Sequence, residues 1–142
     1  MAMEPKTFHY DRLVKSEDLN HHRSLFAGRC AEWFVEAGFI AAASVLPAGN
    51  IVCLKIHGLS FTHPMHSGDI ARFESRIIHT GRTSLTVYVC LRIQDQCEAV
   101  INGFITFVHV NSEGKPEPHG LNLELTSPEE LELNRQALAL RK

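Results

Sequence analysis

The chain has 142 residues, enough for one domain with a sizeable buried core. Hydrophobic residues make up 44%, and the formal charge is −2 with His neutral. Such a balance excludes a general binder of nucleic acid or of membrane surfaces, because neither phosphates nor anionic lipid meet a basic field.

Of four cysteines, Cys30, Cys53 and Cys90 sit inside apolar runs, and none forms a CxxC pair with another or with Cys97. This pattern argues against a disulfide framework or a zinc site and for buried, reduced thiols. No charged-then-apolar leader and no bilayer-length apolar run is visible, so a cytoplasmic location is expected. Without a repeat, a low-complexity tract or a linker, residues 1–142 are read as a single domain.

In chain order, residues 6–14 suit a first strand and 15–23 a polar turn rich in capping residues. A helix is expected from near Ser24, as N-cap, to about Val45, with Pro47 as its stop. Rotation by 100° per residue gathers Phe26, Cys30, Trp33, Ala37, Ala41 and Ser44 into one stripe that should pack on a sheet. The opposite side carries Gly28, Ala31, Val35, Phe39 and Ala42, while Arg29, Glu32 and Glu36 form one polar flank. A back face without charges should meet another surface, and the simplest is the same helix of a second subunit. Arg29 stands at pairing distance from Glu32.

Beyond Pro47 the period changes to two. Strands are expected over residues 51–61, 70–79, 84–94 and 99–110, with a loop at 62–69 and a turn at the second gap. In the third, Leu85, Val87, Val89, Leu91 and Ile93 alternate with polar positions. Hairpin-length connections imply an antiparallel sheet. Ser127-Pro128-Glu129-Glu130 reads as the start of a peripheral terminal helix over 128–140. The sum is an α+β chain in which an antiparallel β-sheet wraps a central α-helix. The core spans about residues 6–119, and 120–142 form a tail.

At residues 14–44, KIHGLSFTHPMHSGD, HTGRTSLTVYV and FITFVHVNSEGKPEPH the chain resembles, in order and at compatible spacing, the hotdog-fold acyl-CoA thioesterases. The resemblance implies a homodimer at minimum, with tetramers and hexamers among its members and active sites at the dimer interface. The substrate is an acyl-CoA thioester, with coenzyme A as part of it and no separate cofactor or metal. The thioester carbonyl is expected over the backbone N–H groups of Ala27 and Gly28, where the positive helix end stabilises a developing anion. The family's helix carboxylate aligns with Val35, so Glu36, or Glu32 one turn earlier, is the candidate base or nucleophile. Asn20 matches a family asparagine that positions water or substrate; its other reading is a turn-forming Asx residue. His22 stands beside it. His57 is either a satisfied structural histidine or a residue facing the site. Gly81, Arg82, Thr83 and Ser84 are expected to contact pantetheine or phosphates, with the loop His63–Gly68 and the tail Lys115–His119 offering more; an ordinary hairpin turn is the alternative. A non-catalytic hotdog module that binds acyl-CoA or regulates is the other function, and Val35 is its support.

Overall fold

The computed structural model describes residues 2–140. In chain order its elements are β1 (Ala2–Met3), β2 (Phe8–Leu13), α1 (Ala27–Ala43), β3 (Ile51–His57), β4 (Ile70–Thr80), β5 (Ser84–Ile93), β6 (Ile101–His109), β7 (Asn122–Leu123) and α2 (Pro128–Ala139). Short 3-10 turns at Ser16–Asp18 and Ala48–Asn50 bracket the first helix and its exit. Five strands form one antiparallel sheet in the order β2-β4-β5-β6-β3. The parallel pair β1–β7 holds the N-terminal residues against the tail.

The expected strands are present; β2, β3, β5 and β6 are shorter than their sequence windows, and β4 runs one residue longer, to Thr80. The window 51–61 loses most, because the Gly58 amide turns back onto the Ile56 carbonyl at 3.2 Å and the chain leaves the sheet. The alternation in β5 holds: Leu85, Val87, Val89 and Leu91 are all buried against α1.

α1 has 17 residues, about 25 Å of helix, and is shorter at both ends than expected. It begins at Ala27 behind Phe26, which supplies no side-chain cap. Ser24 is not the cap, because its amide and hydroxyl are turned onto Asn20 Oδ1, at 3.2 and 3.4 Å. At the other end Ser44 Oγ donates to the Ala41 carbonyl at 2.6 Å.

The buried arc of α1 comprises Cys30, Trp33, Phe34, Ala37, Gly38, Ala41 and Ala42. It is wider than the expected stripe and rotated from it: Phe26 and Ser44 are exposed, and Ala42 lies inside. Each aromatic or aliphatic side chain so enclosed contributes about 1.5–3 kcal/mol of transfer free energy. Contact with the sheet is tight at Gly38, where a Cβ would stand 2.8 Å from Ile105 Cδ1 and 3.3 Å from Val89 Cγ2. The back face is not free of charge: Glu32 and Glu36, with Ile40 and Ala43, point to solvent. Val35 and Phe39 are half-buried on the flank between, and the Phe39 ring meets Phe107 edge-on at 6.0 Å.

The terminal helix is more than peripheral. Ser127 and Glu130 form a reciprocal capping box with Pro128 at the first position. Leu133 and Ala137 then pack with Ile78 and Phe104 into a second small core on the sheet face away from α1. A bulge between Ile77 and His79 frees the Ile78 carbonyl, which accepts from Asn134 Nδ2 at 2.9 Å.

Candidate active site

The turn before α1 is built around two acceptors. Asn20 Oδ1 takes the amides of His22 and Ser24, at 2.8 and 3.2 Å, which is the geometry of an Asx-type turn. Asp18, whose side chain is 2% exposed, accepts from the Lys15 amide and from Arg29, both at 2.9 Å. The Asp18 carbonyl also accepts from the Phe26 amide at 2.9 Å. Arg29 is thus tied back to the turn; its contact with Glu32 is long, at 3.7 Å, and solvated. The expected Arg29–Glu32 pair is therefore the minor one.

These bonds set the helix start. Arg29 and Cys30 amides both reach the Phe26 carbonyl, at 3.0 Å. Among the described residues, the amides of Ala27 and Gly28 have no protein acceptor. They are the free donors that every helix N-terminus leaves. Beside them opens a cleft of about 230 Å³. Its polar lining is Asn20, Ser24, Thr62 and His63, with Ala27, Cys30, Met65 and Ile101 among its apolar walls. The loop at 62–65 is pinned there by the Leu25 amide, which donates to the Met65 carbonyl at 2.7 Å. Burial pushes the Cys30 thiol up to about 11.

So the structure brings Asn20, Ala27 and the start of α1 into one cleft. Glu36 and Glu32 do not line it. Glu36 points toward β2, where it accepts from the Tyr10 hydroxyl at 2.8 Å; Tyr10 in turn accepts from Arg12 at 2.8 Å. Arg12 lies over Trp33, 5.0 Å from the ring centre. Burial and then the bond to Glu36 raise the Tyr10 phenol above its usual range. Glu32 is 67% exposed at its side chain. His22 is exposed and its ring sits 4.0 Å from that of His21.

The remaining candidates stand apart from that cleft. Gly81 and Arg82 line a hollow of about 440 Å³ with Pro118 and His119 from the tail. His119 ties the tail down: its amide donates to the Arg82 carbonyl at 3.3 Å, and its Nε2 lies 2.9 Å from the Ser84 carbonyl. Thr83, Ser84 and His57 share a separate hollow of about 370 Å³ on the sheet face away from α1. His57 Nε2 is 2.6 Å from Thr106 Oγ1, and burial, helped by Lys55, lowers its pKa below 6.5. The Arg82 turn and the α1 start occupy opposite ends of the sheet: Ser84 opposes Val108, whereas Leu91 opposes Ile101 beside the cleft. The seven steps of β5 between them span about 23 Å.

Two features escaped the sequence. The Asp18–Arg29 pair is eleven residues apart and competes, on paper, with the helical spacing of Arg29 to Glu32. The sequence pattern groups His63 with nucleotide contacts, whereas it lines the cleft at the helix start. Its signal was the Pro64 that follows, which holds the preceding residue extended.

Comparison with known proteins bears on the family and the fold. The family model of the thioesterase superfamily matches residues 22–100, more than half of the chain. An uncharacterized acyl-CoA thioester hydrolase of Bacillus subtilis is 27% identical over 105 residues, 71% of this chain and 60% of that protein. This chain thus spans less than two thirds of that relative's length. A hexameric acyl-CoA thioesterase, solved without ligand, superposes with a TM-score of 0.84 at 28% identity, covering 95% of this chain and 88% of the other. A Staphylococcus aureus acyl-CoA hydrolase, solved with butyryl coenzyme A, coenzyme A and coenzyme A disulfide, gives 0.79 at 26%, covering 95% and 81%. With the helix laid across its antiparallel sheet in the hotdog arrangement, the chain belongs to the thioesterase superfamily.

Proposed function

We propose that this protein hydrolyses an acyl-CoA thioester with water, without a separate cofactor. The observation that carries the reading is the pair of unpartnered amides at the helix start, Ala27 and Gly28, with Ala27 lining a cleft that also holds Asn20. A carbonyl oxygen seated there gains two donors and the positive helix end as negative charge develops on it. Asn20 Oδ1 is committed to its turn, which leaves Nδ2 to orient water or substrate.

The site of this proposal needs two copies of the chain. β3 is a free sheet edge, and it exposes Val52, Leu54 and Ile56. Such an edge invites pairing. β3 runs from the Arg82 end of the sheet, where Ile51 opposes His109, toward the cleft end. Antiparallel pairing of β3 with its own copy therefore carries the partner's Gly81–Ser84 turn toward this cleft, where Arg82 can meet a phosphate of coenzyme A. It also lays the half-buried Val35 and Phe39 flank near its counterpart. Assembly beyond the dimer, to tetramer or hexamer, belongs to the same reading.

A second reading, a hotdog module that binds acyl-CoA without turning it over, draws on Val35 and on the absence of Glu32 and Glu36 from the cleft of their own chain. A thiol-release assay across acyl-CoA chain lengths separates the two. Release with at least one of them is expected. Binding of coenzyme A without any release would establish the module instead. If a helix carboxylate from a second copy activates the water, Glu36→Ala and Glu32→Ala will differ sharply in rate.

A further inference from the structure

The cleft at the start of α1 holds a proton acceptor that the reading above leaves unused. Hydrolysis requires that water lose a proton as it attacks, so the groups that can take one near neutrality have to be sought in the lining. Among the described residues, the titratable side chains lining the cleft are Cys30 and His63. Cys30 is 3% exposed and kept protonated by burial. Ser24 Oγ is turned to Asn20 Oδ1. Glu36 is held by Tyr10 on the β2 side of the helix, and Glu32 faces solvent. That leaves His63.

Its placement is fixed from three sides. Pro64 keeps His63 extended. The buried Met65 is anchored through its carbonyl to the Leu25 amide, two residues before Ala27. The ring itself is oriented by Thr62, whose Oγ1 lies 3.0 Å from His63 Nδ1. With Nδ1–H donating to that hydroxyl, Nε2 is left as an acceptor.

Resting on the hydrolase reading, we propose that His63 is a catalytic residue, the general base that takes the proton of the attacking water. Its Nε2 accepts that proton as the water oxygen bonds to the thioester carbon. The carbonyl π electrons move onto oxygen, opposite the Ala27 and Gly28 amides. Collapse of the tetrahedral intermediate re-forms the C=O bond and breaks the C–S bond, whose electron pair leaves on sulfur. The imidazolium returns its proton to that thiolate, giving a carboxylic acid and the thiol of coenzyme A. Atoms and charge balance with water as the only co-reactant, and the imidazole is regenerated.

The test is steady-state thiol release by the full chain, with acetyl-, butyryl- and longer acyl-CoA, over pH 5–9, for wild type, His63→Gln and His63→Ala. The expected loss in kcat/KM for His63→Gln is about 10²–10⁴-fold. The wild-type rate profile should have an acid limb, and His63→Gln should lose it. Added imidazole should restore part of the His63→Ala rate. Because His63 is exposed, the thermal unfolding of both variants should match wild type. An active wild type with His63→Gln within about threefold of it and the acid limb intact would overturn the assignment alone, since general-base loss exceeds that. So would loss of activity in Glu32→Gln or Glu36→Gln with His63→Gln unaffected. A wild type inert toward every acyl-CoA overturns the hydrolase reading, and the assignment with it.

Discussion

Arg29 reaches back from the first turn of α1 to the buried carboxylate of Asp18, 2.9 Å away, and so fixes the direction in which the helix leaves its turn. Removing either partner strands the other. Arg29→Ala should cost about 2–4 kcal/mol, less than the full cost of breaking a buried pair because Arg29 is partly solvated. Glu32→Ala, which removes only the long solvated contact, should cost about 0.5 kcal/mol or less. Urea unfolding of the two variants measures both, and comparable losses would disprove the primacy of Asp18.

Two glycines on α1 should respond unequally to the same substitution. Gly38→Ala drives a methyl into Ile105 and Val89, neighbours fixed in the core, and should destabilise by about 1–3 kcal/mol. Gly28→Ala meets the Phe26 ring at 2.6 Å, but that ring is 55% exposed and can swing away. A change within about 0.5 kcal/mol is expected there. Thermal or urea unfolding compares them directly.

The four thiols report on burial and on the β3 edge. Cys30 and Cys90 are buried, and burial raises both pKa values, so neither should react with a disulfide reagent until the protein unfolds. The exposed Cys97 should react at once. Cys53 lies on β3 and is exposed in the single chain. Its alkylation rate should therefore fall as protein concentration rises and edges pair. A rate independent of concentration, across a range where the assembly state changes, would place the interface elsewhere.

His57 gives stability a pH dependence of known sign. Burial, then Lys55, holds its folded pKa below the unfolded 6.5, so the unfolded chain binds protons more readily. Its contribution is complete above about pH 6.5 and is lost as pH falls through the lower folded value. His57→Gln should flatten the acid side of the stability curve relative to wild type. Urea midpoints between about pH 5 and 8 give the comparison. Parallel curves would rule out this role.

Much of the fold could be read from residue patterns. Strict alternation at Leu85, Val87, Val89 and Leu91 has a single geometric meaning, and Ser127-Pro128 with Glu130 encodes a local cap. The helix start is ambiguous in sequence because Ser24 has two possible partners. A cap bond to its own helix and capture by Asn20 look alike in sequence, and the second won. The site was harder. Ala27, Gly28 and Asn20 are close in sequence and close in space. His63 arrives from a loop beyond β3, and Glu36 is withdrawn by Tyr10, 26 residues away. Neither event leaves a local trace. The orientation of α2 depended on a bulge in β4 that frees one carbonyl, which no periodicity reveals.

The strand order has a consequence for synthesis. β2 and β3 occupy the two edges of the sheet, and each pairs only with a strand made later, β4 and β6. Everything up to His57 therefore leaves the ribosome with no strand to bond to. The register of β3 is settled only after His109 has emerged. Long-range pairing of this kind folds slowly and leaves apolar strands exposed meanwhile. For a nascent chain carrying Ile51–His57 as an unpaired ribbon, the vulnerable interval is the time taken to translate some fifty further residues, roughly 3–10 s at about 5–20 residues per second.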